Sequence, residues 1–384
     1  MSTGGGSPIA ARSPRQEQEE ASDEITEVAA DVIRMQLPVW MPGLGHVNMY
    51  GLIDDQGIAV VDPGLPGPRS VSVLRKRLRS AGFSLDHVHT IIVTHSHPDH
   101  FGAAGYLARK TGARLVTHRA FETFDVTAPP VGPSEAEAAE AEVASITRLL
   151  SLDPGEIAAD SLPTAGSAAG PWSNPTPWGE DASLRARLRG AVIRAFRRLV
   201  TPPEPTHRVR HDDVLTLGGR EWRAVYTPGH TPDHLCLFDP DSGALLAGDH
   251  VLPTITPHIA GMAEGFDTLD AYLATLDHVA QLPGVGVGLP AHGHPFDDVP
   301  GRVEAIKEHH AERMTALAEA GEALGPSTVR ALSREVFPER HWGVMAESET
   351  FAHLEHLVHS GGAARSTVNG RFEYRMTGAH GEGE

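Results

Sequence analysis

The sequence predicts an α/β protein in which short buried strands alternate with helices and set their polar turns along one edge of a sheet. Three observations carry that expectation. Short β-branched runs recur between helical stretches, as at 57 to 61 and 90 to 93, and suit strands covered on both faces. Five of these strands stop at Asp or His, at positions 62, 95 to 100, 230, 249 and 292. The 384 residues also supply enough chain for two or three domains and a sizeable core.

Residues 1 to 24 contain no apolar stretch and are rich in Gly, Ser, Pro, Gln and Glu, which is the composition of a disordered tail and not of a signal peptide. The tail is set at 1 to 30. Apolar residues then recur with period two over 31 to 41 and 47 to 54, broken by Pro42, Gly43 and Gly45, as in a strand pair. The strand 57 to 62 ends on Asp62-Pro63-Gly64, where the carboxylate could also serve only as a turn-former. A helix is expected at 71 to 81, with Leu74 and Leu78 inward and Arg75, Lys76, Arg77 and Arg79 in solvent. After the strand at 90 to 93 comes His95-Ser96-His97-Pro98-Asp99-His100, then a helix over 102 to 110 and a strand over 113 to 118.

The strand-helix rhythm stops between 121 and 205, a segment rich in Ala, Glu and Pro that reads as a helical insertion. Helices are expected at 134 to 150 and 181 to 200, the second bearing Arg194, Arg197 and Arg198 among six arginines. An insertion of this length is expected to act as a lid, with Trp172 and Trp178 as pocket walls, or as an assembly element. Alternation returns at 213 to 217 and 221 to 226, before Pro228-Gly229-His230. Strands at 235 to 238 and 244 to 247 lead to Gly248-Asp249. A helix at 268 to 282 and a strand at 285 to 289 lead to Ala291-His292-Gly293-His294.

Imidazoles and carboxylates crowded within six residues repel one another unless a cation makes their lone pairs favourable. His95, His97 and His230 supply three nitrogens to one ion, Asp99, His100 and His292 supply a mixed set to a second, and Asp249 bridges the two. Nitrogen and carboxylate donors without thiolate suit zinc first, with iron or manganese admissible. Such a pair of divalent ions points to hydrolysis. Cys236 is expected in the core, while His46, His234 and His294 are expected near the ligands or as ordinary histidines.

The spaced motifs, together with Val61-Asp62-Pro63-Gly64, resemble in identity and order those of the metallo-β-lactamase superfamily from about 32 to 296. The resemblance implies a four-layer αββα sandwich with a dinuclear site at one edge, a catalytic site drawn from Asp62, Asp99 and Asp249, and a supporting role for Asp62. Asp249 resembles the glyoxalase II type, whereas the familiar zinc lactamases carry a cysteine in their second metal set, so antibiotic hydrolysis is not expected. Flavodiiron enzymes usually have an acidic residue where His97 stands. Persulfide dioxygenases, with one iron, are similar enough to remain an alternative.

From 302 to 359 three helices are expected, followed by a hairpin around Asn369-Gly370. This unit, 301 to 384, resembles the winged-helix-like domain of the lactamase-like protein 2 group, some members of which are linked to RNA cleavage. Nine Lys/Arg against thirteen Asp/Glu argue against a nucleic-acid reader here, as does the net charge of −18 over the whole chain. The expected function is therefore hydrolysis of a small thioester or ester, with phosphodiester cleavage of RNA as the alternative. A regulator that has lost catalysis is disfavoured by the full set of ligands. The expected partners are an anionic small substrate and a second copy of the chain, without a membrane. One cysteine and no long apolar run place the expected location in the cytoplasm.

Overall fold

The computed structural model describes residues 15–41, 43–121, 176–181, 205–261 and 267–378. The first sheet is built from β1 (Ile25–Ala29), β2 (Val32–Met41), β3 (Leu44–Asp54) and β4 (Gly57–Val61), then β5 (Val88–Ile92), β6 (Arg114–His118) and β7 (His207–Val209), paired in that order. Its strands are antiparallel as far as β4 and parallel from β4 to β7. Helices α1 (Pro68–Ser80), α2 (Pro98–Phe101) and α3 (Ala104–Thr111) lie within its crossovers.

The second sheet runs β13-β12-β11-β10-β9-β8, from β8 (Val214–Leu217), β9 (Arg220–Tyr226), β10 (Leu235–Asp239), β11 (Ala244–Gly248), β12 (Val287–Pro290) and β13 (Phe296–Asp297). Helix α4 (Thr268–Ala280) joins β11 to its parallel neighbour β12.

Period-two side-chain alternation divides the strands among three apolar cores. Ile58 and Val60 of β4 pack with Leu74, Leu78 and Leu107 of α1 and α3. Ala59 and Val61 point the other way and meet Trp222, Leu235, Leu237 and Leu246 of the second sheet. Cys236, Phe238, Leu245 and Ala247 on the far face of that sheet pack on Leu269, Tyr272 and Leu276 of α4. Helix, sheet, sheet and helix are thus stacked in four layers, and Cys236 is a core residue as expected.

Beyond the sandwich come α5 (Val299–Leu324), β14 (Ser327–Thr328), α6 (Val329–Val336), α7 (Val344–His359), β15 (Ala363–Val368) and β16 (Arg371–Met376). The small sheet has the order β14-β16-β15. Asn369 and Gly370 both take positive φ, as the two-residue turn between β15 and β16 requires. Thr328 caps α6 by accepting the Ala331 N–H.

Several expectations need correction. Residues 15 to 30 are not a tail: a 3-10 turn at Gln16–Gln18 packs against the sandwich and β1 pairs with β2. Low local hydrophobicity concealed this, because the segment is held by hydrogen bonds to distant loops. Arg77 does not face solvent; it is buried, with Nε donating to the Gln36 carbonyl at 2.9 Å and the guanidinium paired to Asp23. The helix expected over 102 to 110 is broken at Gly102-Ala103. A Cβ on Gly102 would lie 2.2 Å from Pro66 Cδ, so the close approach of the α1 loop excludes any side chain there.

Trp178 is not a pocket wall. It is fully buried among Leu317, Val329, Leu332, Phe351 and Tyr374 of the C-terminal unit, where burying its large ring is most favourable. The insertion helices expected at 134 to 150 and 181 to 200, Trp172 and the arginines at 194, 197 and 198 lie outside the described residues. Among the described residues, no helix is long and apolar enough to cross a membrane.

Candidate metal centre

The polar turns all leave the C-terminal ends of strands. Asp62 follows β4, His95 to His100 follow β5, His230 follows β9, Asp249 follows β11 and His292 follows β12. Since β4 runs parallel to β5 and β11 parallel to β12, these turns emerge on one edge. Two donor groups form there, with His95, His97, His230 and Asp249 in one and Asp99, His100 and His292 in the other.

In the first group, His97 Nδ1 lies 3.0 Å from His95 Nε2 and 3.1 Å from His230 Nε2. Asp249 Oδ2 lies 3.4 Å from His230 Nε2 and 3.8 Å from His95 Nε2. In the second, Asp99 Oδ2 is 3.7 Å from His100 Nε2 and 3.5 Å from His292 Nε2. Asp249 reaches this group too, with Oδ2 at 3.6 Å from His100 Nε2 and Oδ1 at 3.3 Å from His292 Nε2. Ligands bound tetrahedrally at about 2.0–2.1 Å stand about 3.3 Å apart, so both groups have the spacing of a metal shell. Asp249 faces both.

Hydrogen bonds on the outer sides of the rings leave their inner nitrogens free. The Thr94 hydroxyl donates to Asp62 Oδ2 at 2.7 Å, so His95 Nδ1–H donates to Thr94 Oγ1 at 3.0 Å and leaves Nε2 as a bare lone pair. His100 Nδ1–H donates to Asp62 at 2.9 Å, His230 Nδ1–H to the His258 carbonyl at 2.8 Å, and His292 Nδ1–H to the His46 carbonyl. This is how metal-binding histidines are held in one tautomer and orientation. His100 Nε2, His292 Nε2 and Asp249 Oδ1 are buried without a hydrogen-bond partner, a costly state that a cation would relieve.

The electrostatics agree. Burial, followed by the neighbouring His100 and His97, pushes His95 well below its ordinary value, and burial with His230 brings His97 down to about 3. Both rings therefore offer lone pairs at neutral pH. Burial alone would raise the Asp249 carboxyl, but His292 and His100 outweigh it and hold Asp249 well below the usual range. Burial would lower His100, but Asp249, Asp62 and Asp99 together raise it well above the ordinary value. The edge thus carries clustered negative charge, and the donor set fits divalent ions.

Asp62 is not among the inner donors. Its two oxygens accept from Thr94 N–H, Thr94 Oγ1 and His100 Nδ1, so it positions the residues around it. Sequence reasoning missed four further participants. Thr94 links Asp62 to His95. Buried Asp233 accepts the Ser96 hydroxyl at 3.0 Å and steadies the His95-to-His97 turn. Asn48 Nδ2 donates to the carbonyls of Pro290 at 2.8 Å and Gly293 at 2.9 Å, bracketing His292. Finally, His258 lends only its backbone oxygen. Of the three outlying histidines, His234 accepts the Asp249 N–H at 3.1 Å, His46 supports His292, and His294 lies half in solvent at the rim.

The Metallo-beta-lactamase superfamily profile matches residues 42–292, more than half of the chain, and the protein belongs to that superfamily. The chain is similar to the metallo-beta-lactamase family protein TTHA1429 of Thermus thermophilus, with 26% identity and a TM-score of 0.68 over 91% of this chain and 100% of that one. A beta-lactamase domain protein from Burkholderia ambifaria shares the fold, with a TM-score of 0.67, 23% identity and coverage of 94% and 97%. Among curated proteins, the lactamase-like protein nscB of Arthroderma benhamiae is 32% identical over 112 residues, or 29% of this chain and 24% of that protein. The lactamase-like protein vrtG of Penicillium aethiopicum is 32% identical over 146 residues, or 36% and 45%. The chain thus spans less than half the length of these curated relatives. Superfamily membership supports a hydrolytic enzyme dependent on divalent metal ions.

Proposed function

We propose that the chain is a dinuclear metal-dependent hydrolase of a small thioester or ester. The observation that carries this reading is the position of Asp249, whose carboxylate lies within 3.8 Å of His95, His100, His230 and His292 and so joins both donor groups. His95, His97 and His230 would hold one ion and Asp99, His100 and His292 the other, zinc first by the donor chemistry. Bound there, the two cations would polarise a substrate carbonyl and acidify a water. The chain's own part is to keep His95 and His97 unprotonated towards the centre, to orient the rings through Asp62, Thr94 and backbone carbonyls, and to enclose the edge.

The C-terminal unit supplies a wall to that edge. His258, whose carbonyl holds His230, brings its ring 3.5 Å from Glu349 of α7, and Arg313 of α5 lies 3.9 Å from the same carboxylate. Acidic residues of α7 are turned inward: Glu347 pairs with Arg330, while Glu355 is buried against Arg365 and Tyr374. A helix committed in this way to internal contacts favours a substrate wall over a nucleic-acid reader.

The test is to load the purified protein with zinc, manganese or iron and assay acyl-thioesters, esters, phosphodiesters and single-stranded RNA side by side. Turnover of thioesters or esters at least 100-fold above the other classes is expected. RNA cleavage as the dominant activity would overturn the assignment.

A further inference from the structure

The structure assigns a positioning role to the N-terminal strap, residues 16 to 19, which through His46 fixes the loop that carries His292. The inference rests on the two-metal reading. Glu17 is completely buried, although carboxylates seldom are unless paired or hydrogen-bonded. It accepts the backbone N–H of Thr254 at 2.8 Å and of Ile255 at 3.1 Å, as well as the Thr254 hydroxyl. Strap and Asp249-side loop are thereby clamped together. On the other side, Gln16 Oε1 accepts the His294 N–H at 3.1 Å and Glu19 Oε2 accepts from His294 Nε2 at 2.8 Å.

His46 converts this clamp into ligand orientation. Its Nδ1–H donates to the Glu19 carbonyl at 2.8 Å, so its Nε2 accepts the Gly293 N–H at 3.1 Å, and its own carbonyl receives the Nδ1–H of His292. One imidazole thus spans the strap and the residue next to a ligand, while its backbone sets that ligand's tautomer. The contact is close: a Cβ on Gly45 would fall 2.0 Å from the Glu19 carbonyl oxygen, and one on Gly293 would fall 2.7 Å from Pro253 Cγ and 3.4 Å from Gln16 Cβ. None of these partners holds a ligand of the first donor group other than the shared Asp249 loop, so release of the strap should loosen the His292 side most.

Zinc titration against a chromophoric chelator, with elemental analysis of the dialysed protein, tests this in the full chain. Glu17→Ala and His46→Asn are each expected to weaken the second zinc equivalent about 10-fold or more and the first by less than about 3-fold. Glu17→Gln, which keeps an acceptor for Thr254 and Ile255, is expected to restore most of the loss. Gln16→Ala serves if Glu17→Ala does not fold. The double variant should lose no more than the worse single one, because both changes break one chain of contacts. A lowered Tm with both affinities unchanged, or equal weakening of both equivalents, would overturn the strap's role. A wild-type protein that takes only one zinc would instead remove the two-metal reading.

Discussion

Asp62 and His100 are joined by a buried hydrogen bond of 2.9 Å, and the same carboxylate secures Thr94, which in turn fixes His95. One residue at the end of β4 therefore orients a histidine in each donor group. It does so at positive φ, a conformation that aspartate tolerates better than most side chains. Asp62→Ala should lower the affinity for divalent metal about 10–100-fold and reduce kcat with it. Isothermal titration with zinc and a steady-state assay on the same preparations would measure both. Unchanged affinity would remove Asp62 from the site.

Asp249→Ala should abolish hydrolysis and sharply reduce metal occupancy. Two cations held close together need an anion between them, and Asp249 is the carboxylate that faces both groups. Circular dichroism should show the fold largely retained. Near-normal turnover with full metal content would show that the bridge lies elsewhere.

The C-terminal unit contains a histidine pair whose titration should register in stability. His310 Nδ1–H donates to His353 Nε2 at 3.0 Å, and His353 Nδ1–H donates to the Glu349 carbonyl at 2.7 Å. Burial first, then the partner ring, brings His310 down to about 3; burial first also brings His353 down to about 4. Both folded values lie below the ordinary 6.5, so the unfolded chain binds the extra protons. Their stabilising contribution is complete above about pH 6.5 and is lost as pH falls towards 4. Urea unfolding at pH 7 and pH 5 should show a fall in stability that is smaller in His353→Gln, which cannot titrate. Equal slopes for the two proteins would contradict the assignment.

Trp178 belongs to the C-terminal core, with its ring 5.6 Å from that of Phe351 and its carbonyl accepting the Phe372 N–H. Trp178→Ala should cost about 3–5 kcal/mol in urea unfolding, the usual loss for a large buried aromatic ring. Metal content should not change. Unaltered stability combined with a raised KM would return the indole to the substrate pocket.

What the sequence revealed and what it hid have separate physical causes. Alternation in Ile58-Ala59-Val60-Val61 and Leu235-Cys236-Leu237-Phe238 is a local signal, and both strands sort their side chains into two cores as the period requires. The inner donors were also legible, because His95, His97, Asp99 and His100 crowd one turn and the others follow strands. The supporting contacts were not. Glu17 meets residues more than two hundred positions away, Asn48 brackets His292 across a similar span, and His258 acts through a carbonyl that every residue possesses. Arg77 looked like one more charge on a solvated helix until its guanidinium reached the Gln36 carbonyl and Asp23. Trp178 carried no signal of which core it would enter, since its neighbours come from α5, α6, α7 and β16.

Asp249 faces both donor groups, so the two-metal reading requires two ions in one site. Metal content of the wild-type protein, measured by elemental analysis after zinc loading and exhaustive dialysis, tests it most directly. Two equivalents per chain are expected. A reproducible single equivalent, or one iron with no second ion after supplementation, would contradict that reading and favour a mononuclear enzyme.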